Sequence, residues 1–140
     1  MKSITIIPAI LIVILSLLVT CKNENDNCHR FILIVNDSKN AIYFHPSASY
    51  PDTLTLYPNP TLSPESFKIE NQSSKKDISR DCIEGIIKTT QHETIMYFIY
   101  DANLLETTSW DTIVKYYMIL KRYDLTIEDL QRSDWTITYP

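Results

Sequence analysis

Thr94-Ile95-Met96-Tyr97-Phe98-Ile99-Tyr100 is the clearest strand in this sequence, a run of aromatic and β-branched residues with no glycine or proline. A second run, Phe31-Ile32-Leu33-Ile34-Val35, is continuously apolar, the pattern of a strand covered on both faces. Two such runs far apart in sequence imply central strands of a sheet or sandwich. Outward from them, Asn36-Asp37-Ser38-Lys39-Asn40 is a turn cluster, so Ala41-Ile42-Tyr43-Phe44 reads as the returning arm of a hairpin. Residues 86–90 read as an antiparallel neighbour of the first run, and 117–123 as a further strand. Trp135-Thr136-Ile137-Thr138-Tyr139 alternates cleanly, with Trp, Ile and Tyr on one face.

Helical signals are short. Ser109 reads as an N-cap before Trp110, Ile113, Val114 and Tyr117, which fall on one helical face. Thr126 and Asp129 have the spacing of a capping box, with Leu125 and Leu130 at the staple positions. Residues 45–81 hold Pro46, Pro51, Pro58, Pro60 and Pro64 and read as a partly irregular connection, with edge strands at 53–56 and 67–69. The architecture expected is mainly β: an immunoglobulin-like β-sandwich of six to eight strands with one or two short helices. The alternative is α+β with a small antiparallel sheet.

Composition removes several chemistries. Among 140 residues there is one glycine. A phosphate-cradling loop or a G-x-S-x-G elbow needs two, and a dinucleotide-binding turn needs three. With glycine so scarce, Asn and Asp are expected to supply most left-handed turn positions. A net charge of −4 argues against nucleic acid as a partner.

Met1-Lys2-Ser3 is a basic start, and residues 4–19 are apolar apart from Thr5, Pro8 and Ser16. A helix of that length rises about 24 Å, short of the ~30 Å hydrocarbon core of a bilayer. This is the pattern of a cleavable signal peptide. Leu18-Val19-Thr20-Cys21 resembles a bacterial lipobox, in which the cysteine is lipidated and heads the mature chain; Thr20 departs from the small residue usual there. An uncleaved anchor helix with an incidental Cys21 thiol is the alternative. Lys22-Asn23-Glu24-Asn25-Asp26-Asn27 has no apolar residue and reads as a tether. It also resembles the acidic export signals of surface lipoproteins in Bacteroides-like bacteria. The expected division is 1–20 signal peptide, 21–29 acidic tether and 30–140 a single domain.

With Cys21 lipidated, Cys28 and Cys82 remain in a chain crossing an oxidising compartment, which suggests a disulfide. Two buried, unpaired thiols are the alternative.

The run from Trp110-Asp111 through Lys121-Arg122-Tyr123-Asp124-Leu125-Thr126, Glu128-Asp129-Leu130 and Trp135-Thr136-Ile137-Thr138-Tyr139-Pro140 resembles small lipoproteins of Bacteroides and related bacteria. Asn36-Asp37-Ser38 and Tyr50-Pro51-Asp52 fit the same group. The resemblance implies an outer-membrane, cell-surface setting and carries no activity with it.

Catalytic motifs are not evident. His29, His45 and His92 share no ligand spacing, and Cys28-His29 is the only adjacent pair of ligand-type residues among them, so no metal and no cofactor is expected. Acids at Asp124, Glu128 and Asp129 fit helix capping better than paired catalysis, and Lys75-Lys76 and Lys121-Arg122 read as solvated doublets. Tyr50 and Tyr57, each followed by proline in the irregular connection, are candidate ligand-stacking aromatics. Asp52-Thr53-Leu54 resembles a Bacteroides O-glycosylation site, placing Thr53 as the candidate; Asp111-Thr112-Ile113 fits the same pattern. The expected function is that of a lipid-anchored cell-envelope protein with a non-catalytic binding or accessory role, its partner a protein or glycan. A small envelope hydrolase and a toxin-immunity lipoprotein are the alternatives. A pocket holding two polar residues with perturbed pKa would favour the enzyme.

Overall fold

A computed structural model describes residues 28–51 and 58–140. The signal segment, Cys21, the tether through residue 27, Thr53, Tyr57 and the edge strand expected at 53–56 lie outside the described residues.

The described chain runs β1 (Phe31–Asn36), β2 (Ile42–Ser47), a 3-10 turn (Pro60–Leu62), α1 (Pro64–Phe67), β3 (Lys68–Ile69) and β4 (Ser73–Ile78). It continues through α2 (Ile83–Thr89), a second 3-10 turn (Gln91–Glu93), β5 (Ile95–Asp101), α3 (Ala102–Thr107) and α4 (Trp110–Lys115). β6 (Lys121–Leu125), α5 (Ile127–Arg132) and β7 (Thr136–Tyr139) complete it. The strands form two sheets, ordered β4-β1-β7 and β3-β2-β5-β6. Every neighbouring pair is antiparallel except β1 and β7. The result is a β-rich fold of two sheets with several short helices.

The β5 run is apolar throughout because the larger sheet is covered twice. Ile95, Tyr97 and Ile99 face a core shared with Ile32 and Ile34 of β1, Ile137 of β7 and Ile83 and Ile87 of α2. Met96, Phe98 and Tyr100 face the other way, against Ala102 and Leu105 of α3 and Ile113 of α4. Each such side chain contributes roughly 1.5–3 kcal/mol on full burial. β1 is different. Ile32 and Ile34 are buried, but Phe31 is 42% exposed and Leu33 and Val35 are only half-buried, so this strand is covered on one face instead of two.

The expected hairpin between β1 and β2 does not form; the strands belong to different sheets. Asn36 explains the corner. Its side chain is fully buried, and Nδ2 donates to the carbonyls of Asn40 (2.8 Å) and Glu70 (3.0 Å). Its Oδ1 accepts from the Ser38 amide and hydroxyl. The turn residues are thus spent on tying the corner to the end of β3, which carries the chain from one sheet to the other.

Residues 86–90 are mostly helix, not strand. Ile83 and Ile87 are four residues apart and both buried, and Cys82 stands at the N-cap. α3 has its own signal, the Asp101 carboxylate accepting from the Leu104 amide at 2.8 Å. The strand expected at 117–123 begins only at Lys121, as edge strand β6; Tyr117 before it takes a left-handed φ of 51° and is 41% exposed where helical spacing would bury it. Pro46 is accommodated because β3 pairs only with Ile42 and Tyr43, so β2 has a partner on one side alone at the proline. The capping box at Thr126 and Asp129 is complete, with Leu130 buried and Leu125 packed beside it.

Left-handed positions fall to unexpected residues. Gln72, His92, Glu93, Tyr117, Asp134 and Trp135 carry φ between 48° and 62°, and only Asp134 is of the Asn/Asp type. Tertiary contacts hold the bulkiest of them: the Trp135 indole stacks on His29, ring centroids 3.9 Å apart.

Candidate functional sites: an aromatic platform and an apolar slot

Tyr50 packs against the face of the larger sheet that carries α3 and α4. The Arg122 guanidinium of edge strand β6 lies 5.7 Å from the Tyr50 ring centroid and 5.9 Å from that of Phe98, directly across the ladder from Arg122. Arg122 is held in place. Its Nε and Nη2 donate to the two oxygens of Asp124 at 2.5 and 3.0 Å. A further bond to the Tyr117 hydroxyl, after that to Asp124, helps hold its pKa above the ordinary value. His92 meets the Tyr50 ring edge-on at 5.8 Å. Tyr116 and Leu120, 66% and 46% exposed, lie in the segment that leads into β6. Phe98 is fully buried and Tyr50 and Arg122 are half-buried, so the arrangement offers solvent the outer part of the Tyr50 ring beside a fixed guanidinium–carboxylate pair, of which Asp124 is the more exposed member. Of these residues, sequence reasoning singled out only Tyr50. Lys121-Arg122 read as a solvated doublet, and the missing signal was cross-strand register, which places Arg122 over an aromatic.

The second place lies between the sheets. β4 is polar and alternates: Lys76 and Ile78 are exposed, while Asp77 is half-buried and pairs in register with buried Ile32. The Tyr97 hydroxyl donates to Asp77 Oδ2 at 2.6 Å. Both groups line a cavity of about 220 Å³ whose walls include Pro46, Ile83, Ile86 and Ile95. Burial pushes the Asp77 carboxyl up, against the opposing pull of the Tyr97 hydrogen bond. Burial, then the neighbouring Asp77 charge, pushes Tyr97 well above the ordinary phenol range. Sequence reading missed this pair because β4 lay inside the stretch read as irregular.

A third polar cluster sits on the α3 side. Glu106 Oε1 accepts from the Tyr43 hydroxyl (2.9 Å) and from Lys68 Nζ (2.8 Å), at a depression of about 450 Å³. Burial and the Glu106 hydrogen bond push Tyr43 up to about 12.

Cys28 and Cys82 are joined by a disulfide, Cα atoms 5.0 Å apart. Beside it, Glu84 accepts from the His29 backbone amide and contacts His29 Nδ1 at 2.5 Å. Burial raises the Glu84 carboxyl, but these bonds outweigh it and leave the group below its ordinary value. His45 is buried against Trp110 and Phe67, and burial lowers it to about 4. The histidines thus sit in three separate places. Among the described residues no group of three or more His, Cys, Asp and Glu side chains is placed to hold a metal. Thr112 lies within α4, its hydroxyl 2.7 Å from that of Ser109. Among the described residues no helix is long and apolar enough to cross a membrane.

No family model, curated protein or solved structure matches the chain.

Proposed function

We propose that this is a lipid-anchored protein of the outer membrane, displayed on the cell surface, with a non-catalytic binding role. The basic start, apolar run and Cys21 support the anchor, and the acidic tether supports display. The resemblance to small lipoproteins of Bacteroides and related bacteria supports both. Two or three acyl chains on Cys21 would give stable attachment, at about 0.8 kcal/mol per buried CH₂. We also read the two sheets as the layers of an immunoglobulin-like sandwich, supported by the apolar core they share.

One observation carries the binding reading: the Arg122 guanidinium lies 5.7 Å from the Tyr50 ring centroid and is held by Asp124 at a sheet edge. Ring faces cover the apolar C–H surface of a sugar, while a fixed guanidinium and carboxylate bond its hydroxyls, so the ligand proposed is a glycan. The test is retardation of the protein in gels containing neutral or acidic polysaccharides. Tyr50→Ala should weaken retention about five- to tenfold, the equivalent of a lost aromatic contact of about 1–1.5 kcal/mol. Unchanged retention in the variant overturns the placement; failure of every glycan to retain the protein overturns the ligand class. For the anchor, Cys21→Ala should release the protein from membranes.

The Asp77–Tyr97 pair gives the enzyme reading its one supporting observation. Acid–base catalysis works when an environment pushes two groups apart, leaving one acid and one base. Here both groups move upward, and they are bonded to each other. Ligand recognition accounts for that arrangement better than proton transfer does.

A further inference from the structure

The slot between the sheets has one polar end and apolar walls. Its volume of about 220 Å³ exceeds the ~150 Å³ of an apolar protein cavity that accepts benzene. Pro46, Ile83, Ile86 and Ile95 supply walls without hydrogen-bonding side chains, and Ile78, 75% exposed, extends the apolar surface at the lining. At the polar end Asp77 Oδ2 is engaged by Tyr97. Among the described residues Oδ1 has no hydrogen-bond partner and no cation pairs with Asp77. Asp77 Oδ1 is thus a half-buried acceptor within reach of solvent, at a lining that is otherwise apolar apart from Tyr97 and Ser79, and open to a donor from outside the chain. The tyrosine completes the geometry by fixing the carboxylate plane, so the open oxygen has a set direction.

We propose that this slot binds a small organic cation: a primary ammonium group seated on Asp77 Oδ1, with a compact apolar body of about benzene size between Pro46, Ile83, Ile86 and Ile95. An ammonium fills the donor position and neutralises the acid in one contact, and charge-assisted hydrogen bonds of this type are roughly twice as strong as neutral ones. A carboxylate ligand is rejected by like charge. A neutral molecule of the same shape gains only the apolar part. This site is separate from the Tyr50 platform and does not depend on it.

Chemical-shift titration of the full chain with benzylamine, benzyl alcohol and benzoate tests the proposal. Benzylamine should shift the amides of Ile83, Ile86 and Tyr97 saturably and bind at least about tenfold more tightly than benzyl alcohol, with no saturable shift from benzoate. Asp77→Asn should remove that preference, leaving the amine and the alcohol equal. Ile86→Trp, at a half-buried wall position, should fill the slot and abolish both responses, whether or not Asp77→Asn folds. Absence of a saturable shift at millimolar benzylamine, equal binding of amine and alcohol to the natural sequence, or amine binding that survives Ile86→Trp would each overturn it.

Discussion

Tyr43 and Tyr97 stand on opposite faces of the larger sheet, and each donates its hydroxyl to a carboxylate, Glu106 at 2.9 Å and Asp77 at 2.6 Å. The two acids nevertheless move in opposite directions. Glu106 is held below the ordinary carboxylate range, first by the Lys68 hydrogen bond and then by Tyr43. Asp77 is pushed above it by burial, with the tyrosine opposing. At Asp77 burial outweighs the tyrosine hydrogen bond, whereas at the more exposed Glu106 the lysine bond at 2.8 Å and the tyrosine bond each outweigh burial. One face carries a partly exposed acid held by a lysine and a tyrosine, and the other a half-buried acid held by a tyrosine alone.

The largest way to disturb this contrast is through the disulfide, which braces only the Asp77 side. α2 begins immediately after Cys82 and supplies Ile83 and Ile86 to the slot. Replacing both Cys28 and Cys82 with serine removes a crosslink spanning 54 positions and should cost about 4 kcal/mol by loop entropy. Urea unfolding reads the loss, and hydrogen exchange should show α2 loosening before α3.

On the Tyr43 face, His45 dominates the pH response. Its folded pKa, about 4, lies below the ordinary 6.5, so the unfolded chain takes up the proton first as acid is added. The stability is therefore intact above about pH 6.5 and is lost as pH falls toward and through 4, by about 3 kcal/mol in all. Urea midpoints at neutral and mildly acidic pH should converge in His45→Phe.

The tyrosines themselves give the direct comparison. Tyr97→Phe leaves the half-buried Asp77 with neither oxygen engaged and should cost about 1–3 kcal/mol, while Tyr43→Phe leaves Glu106 its lysine and should cost under about 1 kcal/mol. Equal losses on thermal unfolding would erase the distinction between the two faces. Smallest is the tilt of the pH profile. Asp77, raised on folding, contributes stability that is present at low pH and lost as pH rises through its folded value. Glu106, lowered on folding, contributes stability present above its unfolded value and lost as pH falls. Asp77→Asn and Glu106→Gln should therefore tilt stability against pH in opposite senses, the second weakly because that ion pair is partly exposed.

What could be read in advance was local. The β5 run, the Ser109 cap, the Thr126–Asp129 box and the alternation ending in Tyr139 each announce themselves within a few residues. Partnering did not, because which strands pair depends on contacts distant in sequence. Asn36 looks like any turn residue until its bonds to Asn40 and Glu70 show it building a corner. The two adjacent isoleucines at 86 and 87 satisfy a strand pattern as well as a helical one, and burial of Ile83 and Ile87 on one helical face decides between them. Left-handed backbone at Trp135 is paid for by its stack on His29, which no local rule anticipates. Of the two candidate sites, Tyr50 was legible as an aromatic beside proline. Arg122 and Asp77 were not, since each acquires meaning only from the residue opposite it.

The position of the disulfide also governs how the domain bears load. Any pull on the chain from before Cys28 reaches residue 82 through a covalent bond before it reaches β1. The backbone bonds of Ile83 to His29 and of Ser79 to Arg30 lie next in line. Tension that would otherwise peel β1 away from the sheet, one hydrogen bond at a time, is divided with the base of α2. For any tension that enters from the N-terminal side of Cys28, that crosslink is a strain relief, as a clamp is for a cable where it enters a housing.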